Sequence, residues 1–288
     1  MRVPEFNMLI GLPGSGKSTI AHKYIDNSAI ILSSDEIREE LFGDASIQKD
    51  PQKVFSLMEE RTLEALNKGF DVCYDATNLT RKNRANILSK LPLGTKKRAI
   101  IVFCPIELCI VRDAARDRTV GAEVINRMAK SFQVPYYDEG FDSIVITTEE
   151  RYNKEEQKKI REAMAIPHDN PHHTYGIKNH CDAAFKYLRE RESLYPIWIY
   201  EAAYWHDVGK PYCKTFTNTK GEPTDIAHYY GHQNVGAWIA CGLLTDIYSI
   251  WLINNHMEPY FNSKYYLNLP KYLKEDIDLI HEADLAAH

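Results

Sequence analysis

The chain has 288 residues, 44% of them hydrophobic and 26% charged, and a formal net charge of −5. That length exceeds one minimal nucleotide-binding domain and suggests two, the composition is ordinary for a globular protein, and the charge argues against non-specific coating of nucleic acid. No apolar stretch approaches a membrane span, no secretory leader is visible, and Cys73, Cys104, Cys109, Cys181, Cys213 and Cys241 lack a C-x-x-C spacing, so the expectation is a cytoplasmic protein with reduced, buried thiols and no membrane partner.

The first element in chain order is the apolar run Met8-Leu9-Ile10, which breaks into Gly11-Leu12-Pro13-Gly14-Ser15-Gly16-Lys17-Ser18-Thr19, a complete G-x-x-x-x-G-K-S pattern. Glycines at 11, 14 and 16 let backbone N–H groups turn inward as an anion nest, and the following helix adds its positive N-terminal end. Lys17 supplies a charge for β- and γ-phosphates, and the Ser18 hydroxyl is placed to ligate Mg²⁺. Ala29 to Leu32 reads as a buried strand running into Ser33-Ser34-Asp35-Glu36-Ile37-Arg38. Ser33 with Glu36 fits a capping box, which would make this only a helix start. Alternatively, Asp35 at a strand end accepts a proton from an acceptor hydroxyl while Arg38 neutralises the acceptor's phosphate.

Residues 41–69 have the spacing of a solvated helix (Val54, Met58, Leu63, Leu66). Val72-Cys73-Tyr74 then ends in Asp75-Ala76-Thr77-Asn78, an acid suited to holding the Mg²⁺ water shell with Thr77 and Asn78 lining the same cleft. Arg81 to Arg98 is basic, either a solvated helix face or a nucleic-acid groove. Arg98 to Pro105 and residues 143–148 read as further strands. Arg112 and Arg116, four apart, share one face of a predicted helix. On an exposed helix they only pair with carboxylates; in a P-loop phosphotransferase the same segment is a lid whose arginine stabilises transition-state charge.

These segments together resemble the P-loop 5'-hydroxyl polynucleotide kinases of phage and bacterial RNA repair, over residues 1–150; Val124-Ile125-Asn126-Arg127-Met128 and Glu139-Gly140-Phe141-Asp142 look like the family's tail. The resemblance implies that Gly11, Gly14, Ser15, Gly16, Lys17, Ser18 and Thr19, with Asp75 and Arg112, bind ATP (or another NTP) and Mg²⁺. It implies that Asp35 is the general base, that Arg38, Thr77 and Asn78 contact the acceptor, and that Arg116 is the lid arginine. Asp113 stands where the family often has Asn.

Residues 151–166 read as a linker, within a charged stretch, Glu149 to Arg161, that suits a helix crossing to the next domain. From 167 the chain turns rich in histidine and tyrosine, with helices expected over about 174–190, 195–208, 229–243, 246–257 and 271–287. One ligand candidate falls in each: His180, His206-Asp207, His232, His256 and Asp284. Imidazoles and carboxylates suit Mn, Fe, Co, Ni or Zn, and adjacent His-Asp lets the carboxylate bridge two ions. The segments His173-x6-His180, His206-Asp207-Val208-Gly209-Lys210, Gly231-His232, Asn255-His256 and Ala283-Asp284 resemble the HD phosphohydrolase superfamily over residues 167–288. That resemblance implies a first site of His180, His206, Asp207 and Asp284, a second using His232 and His256, one or two divalent transition metals, and Lys210 at the scissile phosphate.

The expected architecture is two domains: an N-terminal α/β P-loop kinase with a parallel sheet and a C-terminal all-α HD-type helical bundle. Read jointly, they suggest an enzyme that phosphorylates 5'-OH ends of RNA (or DNA) and removes 2',3'-cyclic or 2'/3'-phosphate ends, with a nucleic-acid ligase as functional partner. A small-molecule or nucleoside kinase joined to an HD nucleotidase, and an ATP-gated regulatory protein, are the other readings.

Overall fold

In β1 (Glu5–Ile10), Phe6 to Ile10 are buried without a break, the pattern of a central strand covered on both faces. The computed structural model describes the chain except residues 1, 25–27, 48, 117, 148, 171–174, 192, 193 and 288. It divides into two units, Met1–Met128 with Pro135–Glu150, and Ala129–Val134 with Arg151–His288. Among the described residues no helix is long and apolar enough to cross a membrane, and all six cysteines are free and buried.

The first unit runs β1, α1 (Lys17–Tyr24), β2 (Ile30–Ser33), α2 (Ser34–Phe42), α3 (Pro51–Asn67), β3 (Val72–Asp75), α4 (Arg81–Leu88), β4 (Lys96–Ile101), α5 (Ile106–Ala114), α6 (Ala122–Ala129) and β5 (Ser143–Ile146). The strands form one parallel sheet in the order β2-β3-β1-β4-β5. The order reverses direction around β1, so the loops after β1 and β3 open at a switch point, the place where open parallel sheets bind ligands. Leu9 pairs with Asp75 across that junction.

The helix expected over 41–69 is the shorter α3, Pro51–Asn67, and residues 41 and 42 close α2 instead. Asp50 caps α3 by accepting from the Lys53 N–H, Pro51 opens it, and Val54, Met58, Thr62, Ala65 and Leu66 make its buried face. Each large apolar side chain buried there contributes about 1.5–3 kcal/mol. The basic stretch is no continuous track either. Arg84 is fully buried, Lys90 pairs with Glu59 at 2.7 Å, and Lys96 to Arg98 open β4.

The second unit contains α7 (Lys154–Ala163), α8 (Ile177–Arg189), α9 (Ile197–Trp205), α10 (Lys210–Cys213), β6 (Thr215–Thr217), β7 (Pro223–His228), α11 (His232–Leu243), α12 (Ile247–Asn255), α13 (Glu258–Phe261), α14 (Lys264–Asn268) and α15 (Lys271–Ala286). It is helical but not all-α, because β6 and β7 form an antiparallel hairpin. The segment read as a linker holds the helix its charged stretch suits, α7, capped by Asn153 and Glu156 in a capping box. Asp246 caps α12, and Ser249 donates from its Oγ to Glu201 at 2.6 Å, tying α12 to α9. Ala129–Val134 joins this unit through Asn254, whose Oδ1 accepts from Val134 N and whose Nδ2 donates to Phe132 O.

Arg84 shows how the first unit is fastened. Its Nε and Nη2 donate to both oxygens of Glu139 at 2.8 and 2.7 Å, and its Nη1 to the carbonyls of Asn78 and Leu79 at 3.1 Å. Removing one partner of a buried pair strands the other. In urea melts followed by fluorescence, Arg84→Ala is expected to lose about 3–5 kcal/mol of first-unit stability, whereas Lys90→Ala, at a surface pair, loses no more than about 1 kcal/mol; equal losses would contradict this assignment.

Candidate functional site

In the first unit the Gly11–Gly16 loop joins the end of β1 to α1. Gly14 has φ +80°, and a Cβ there would lie 2.3 Å from the Cys109 carbonyl oxygen, so only glycine lets α5 approach this closely. Gly11 N donates to Thr77 O at 3.1 Å, and Gly16 has φ +94°. Ser15 Oγ is buried with no hydrogen-bond partner. Lys17 Nζ donates to the carbonyls of Gly11 and Leu12 at 3.1 and 2.9 Å, and Ser18 Oγ donates to Asp75 Oδ2 at 2.9 Å. Burial lowers the Lys17 pKa against the pull of Asp75. Burial likewise raises Asp75, with Lys17 and the Ser18 hydroxyl opposing it.

Two hollows meet at this loop. One, of about 410 Å³, is lined by Lys17, Ser18, Asp35, Arg38, Asp75, Thr77, Arg116 and Arg118 among others. The second, of about 510 Å³, is lined by Ser15, Thr19, Lys23, Phe103, Arg112, Arg116, Glu149 and Glu150 among others. Arg116 borders both. Asp35 Oδ1 holds Arg38 Nη1 at 2.8 Å and Arg118 Nη1 at 3.3 Å. Arg38 is buried and also donates to Ser34 O at 3.2 Å, while Ser33 Oγ caps α2 by accepting from Asp35 N.

Two expectations need correction. Arg112 and Arg116 do not share a helix face, because α5 ends at Ala114 and Arg116 lies in the loop beyond it. Arg112 is ion-paired with Glu150. Asn78 does not line the cleft: at φ +48° its Nδ2 donates to Leu9 O at 2.7 Å and Ala76 O at 3.3 Å, clipping β3 to β1. Asp113 is buried, and its Oδ2 accepts from Val120 N and Gly121 N at 2.9 Å, fastening the loop that carries Arg116 and Arg118. Arg118 is a cleft residue to which the sequence reading gave no role.

The second unit brings the remaining candidates together. His180, His206, Asp207 and Asp284 form one group that could hold a cation, and Asp207, His232 and His256 another, with the ligand atoms of each within 4.8 Å of one another. His180 Nε2 lies 2.8 Å from Asp284 Oδ1 and 3.2 Å from His206 Nε2. His232 Nε2 lies 3.3 Å from Asp207 Oδ1 and 3.3 Å from His256 Nε2. His173 lies outside the described residues. His206 and His256 close the C-terminal ends of α9 and α12, His232 opens α11, and His180 and Asp284 lie on α8 and α15.

The Nδ1 atoms decide what these rings can do. His180 Nδ1 meets Ala287 O at 3.0 Å, His206 Nδ1 meets Ala203 O at 2.8 Å, His232 Nδ1 meets Tyr229 O at 2.9 Å and His256 Nδ1 meets Ile253 O at 2.8 Å. A carbonyl oxygen only accepts, so each Nδ1 carries the proton and donates it, and in the neutral ring each Nε2 presents a lone pair. Lone pairs 3.2 and 3.3 Å apart repel unless a cation or proton lies between them. Neither Asp207 oxygen receives a well-angled hydrogen bond, although Lys210 Nζ lies 2.5 Å from Oδ2. These donors therefore fit divalent transition metals, with backbone carbonyls orienting the rings.

Burial opposes ionisation of Asp207, but Lys210 and His206 hold it well below the usual carboxylate range. Burial likewise opposes a proton on His206, but Asp207 raises it well above its ordinary value. His256, buried with His206 and His232 beside it, is pushed down to about 3. A proton can thus relieve the first group while His256 stays neutral. Sequence reasoning missed His168, a buried ring whose Nε2 is 3.3 Å from Lys210 Nζ and 3.9 Å from Asp207 Oδ2; its place in a histidine-rich opening, 42 residues from its partner, carried no spacing signal.

Residues 7–135 match a family model described as an AAA domain. The transcription factor bHLH140 of Arabidopsis thaliana is 27% identical over 145 residues, 48% of this chain and 15% of that protein. Among solved structures, a chain of the Pnkp1/Rnl/Hen1 RNA repair complex is similar at 22% identity and TM-score 0.41, over 49% of this chain and 47% of that one. A sugar kinase from Janibacter sp. HTCC2649 is similar at 18% identity and TM-score 0.39, over 50% and 84%. The chain spans less than half the length of the plant protein and of the repair-complex chain. The family match falls within the first unit, whose parallel sheet carries the G-x-x-x-x-G-K-S loop at the end of β1.

Gly209 sits where His232 is positioned. A Cβ there would fall 2.1 Å from His232 O and 2.5 Å from Gly236 N, whereas one on Gly236 would meet its nearest atom at 3.2 Å. Gly209→Ala is expected to destabilise the second unit by about 1–3 kcal/mol in thermal melts and Gly236→Ala by less; the reverse order would contradict this packing.

Proposed function

We propose that the chain is a bifunctional RNA end-healing enzyme, an ATP-dependent 5'-hydroxyl polynucleotide kinase over residues 1–150 joined to an HD-type phosphohydrolase over 167–288 that clears 2',3'-cyclic or 2'/3'-phosphate ends. The observation that carries it is the pairing, on one chain, of a P-loop cleft bearing Asp35, Arg38 and Arg118 with a separate cluster of converging imidazoles and carboxylates. A phosphate-handling site on each unit suits a substrate with two damaged ends, and a nucleic-acid ligase would use the product.

In the kinase step the 5'-hydroxyl gives its proton to Asp35 and its oxygen attacks the γ-phosphorus in line; the bond to the β-γ bridging oxygen breaks and ADP leaves. Arg38 and Arg118 hold the acceptor's neighbouring phosphate, and Arg116, bordering both hollows, faces the charge that develops between donor and acceptor. Lys17 leaves the loop carbonyls for the β- and γ-phosphates. Ser18 and Asp75 would hold Mg²⁺, which shares the phosphate charge when bound. In the second unit His180, His206, Asp207 and Asp284 would hold one divalent ion and Asp207, His232 and His256 another, supplying phosphate polarisation and water activation near neutral pH when bound. Lys210 lies beside Asp207, placed to orient a phosphate oxygen or meet a leaving one.

The test is transfer of labelled γ-phosphate from ATP to a 5'-OH oligoribonucleotide bearing a 3'-phosphate. Asp35→Ala is expected to lower 5' labelling by about 10²- to 10⁴-fold and leave 3'-phosphate removal intact, with Asp207→Ala doing the opposite. Transfer to a nucleoside or sugar but not to the oligonucleotide would select the small-molecule kinase instead, and tight ATP binding without transfer the regulatory protein.

A further inference from the structure

Beside the imidazole cluster lies a hollow of about 680 Å³ that the kinase and metal chemistry leave unexplained. Lys210 and the cluster's His232 and Asp284 line it, together with Tyr230, Tyr260 and Phe261. Tyr260 is 74% exposed and Phe261 54%, and the chain itself carries them to the rim, since α13 follows directly after His256. Large apolar rings left in water at one rim mark a binding surface. Tyr229 and Tyr230 are already committed: the Tyr229 hydroxyl donates to His168 O and its ring lies 5.6 Å from Lys210 Nζ, while Tyr230 stacks on His228 at 5.3 Å. Tyr260 and Phe261 meet edge to face, 6.1 Å apart at 81°, which leaves a face of each ring available.

We propose that this hollow seats the nucleobase of the nucleotide whose phosphate the second unit takes, stacked on one of the Tyr260 and Phe261 rings and met edge to face by the other. This rests on the phosphohydrolase reading of the cluster and names the residues that position its substrate. A planar base meets one open ring face, and the amide of Gln233, which lines the same hollow, supplies both a donor and an acceptor for a base edge. An acyl chain would leave that amide unmatched. Lys210 and the cluster ligands take the phosphate, and the aromatic rim takes the base.

The experiment uses the full chain loaded with Mn²⁺, with Lys17→Ala and Arg38→Ala silencing the P-loop cleft. The probe for binding is adenosine 3'-phosphorothioate, a slowly hydrolysed analogue, and hydrolysis is followed on adenosine 3'-monophosphate and on glycerol 2-phosphate, which has no ring. Replacing both rings (Tyr260→Ala with Phe261→Ala) is expected to weaken analogue binding by about ten- to hundredfold and to raise KM for the nucleotide with kcat held, while glycerol 2-phosphate hydrolysis is unchanged. The exchange Tyr260→Phe with Phe261→Tyr restores binding. Unchanged analogue affinity in the alanine variant, or equal weakening of nucleotide and glycerol ester, would overturn the base seat. Analogue binding that depends on the rings, with neither ester hydrolysed, supports the base seat and contradicts the phosphohydrolase reading alone.

Discussion

Four backbone carbonyls fix the chemistry of the second unit. By accepting the Nδ1 protons of His180, His206, His232 and His256, they leave four Nε2 lone pairs converging on the carboxylates of Asp207 and Asp284. Water cannot screen this repulsion, because the imidazoles and Asp207 are buried. The helices that hold the rings together are well packed by Trp238, Trp251 and the apolar faces of α8, α9 and α12, so hydrophobic burial keeps in place donors that only positive charge can reconcile. His206 and His256 cap the C-terminal ends of α9 and α12 and His232 is the first residue of α11, positions where backbone carbonyls and chain direction set the ring orientation.

The first unit presents the complementary charge arrangement. Backbone N–H groups, the start of α1 and Lys17 surround the P-loop, while Asp35 and Asp75 stand at its border. Asp113 is a loop clamp: its carboxylate accepts two backbone N–H groups and so sets the place of Arg116 and Arg118. That use suits a charged oxygen, since carboxylate acceptors make the stronger hydrogen bonds. Asn78 and Arg84 do similar structural work behind the cleft.

Much of what is encoded by adjacent residues was legible in the sequence. The P-loop, the strand ends at Ser33 and Asp75 and the ligand-bearing helices follow from local pattern, and the parallel sheet follows from apolar runs ending at polar turns. Features made by residues far apart were not. Arg118 reaches Asp35, and Arg84 reaches Glu139, only through folding. His168 meets Lys210 across the unit, and nothing in its neighbourhood distinguished it from a surface histidine. The β6–β7 hairpin was missed because its strands are short and polar; the turn at Asn218 to Glu222, with Gly221 at φ +83°, was the available signal. Arg112 and Arg116 were placed on one face by spacing alone, which the end of α5 at Ala114 annuls.

Whether the converging imidazoles hold divalent cations on both sides of Asp207 is tested directly by elemental analysis of the purified chain, with anomalous scattering from its crystals. Two ions per chain are expected, one in His256→Ala and none in Asp207→Ala. A fully folded wild-type chain with no ion at either position, whose stability is indifferent to chelator and to added Mn²⁺, would contradict this expectation.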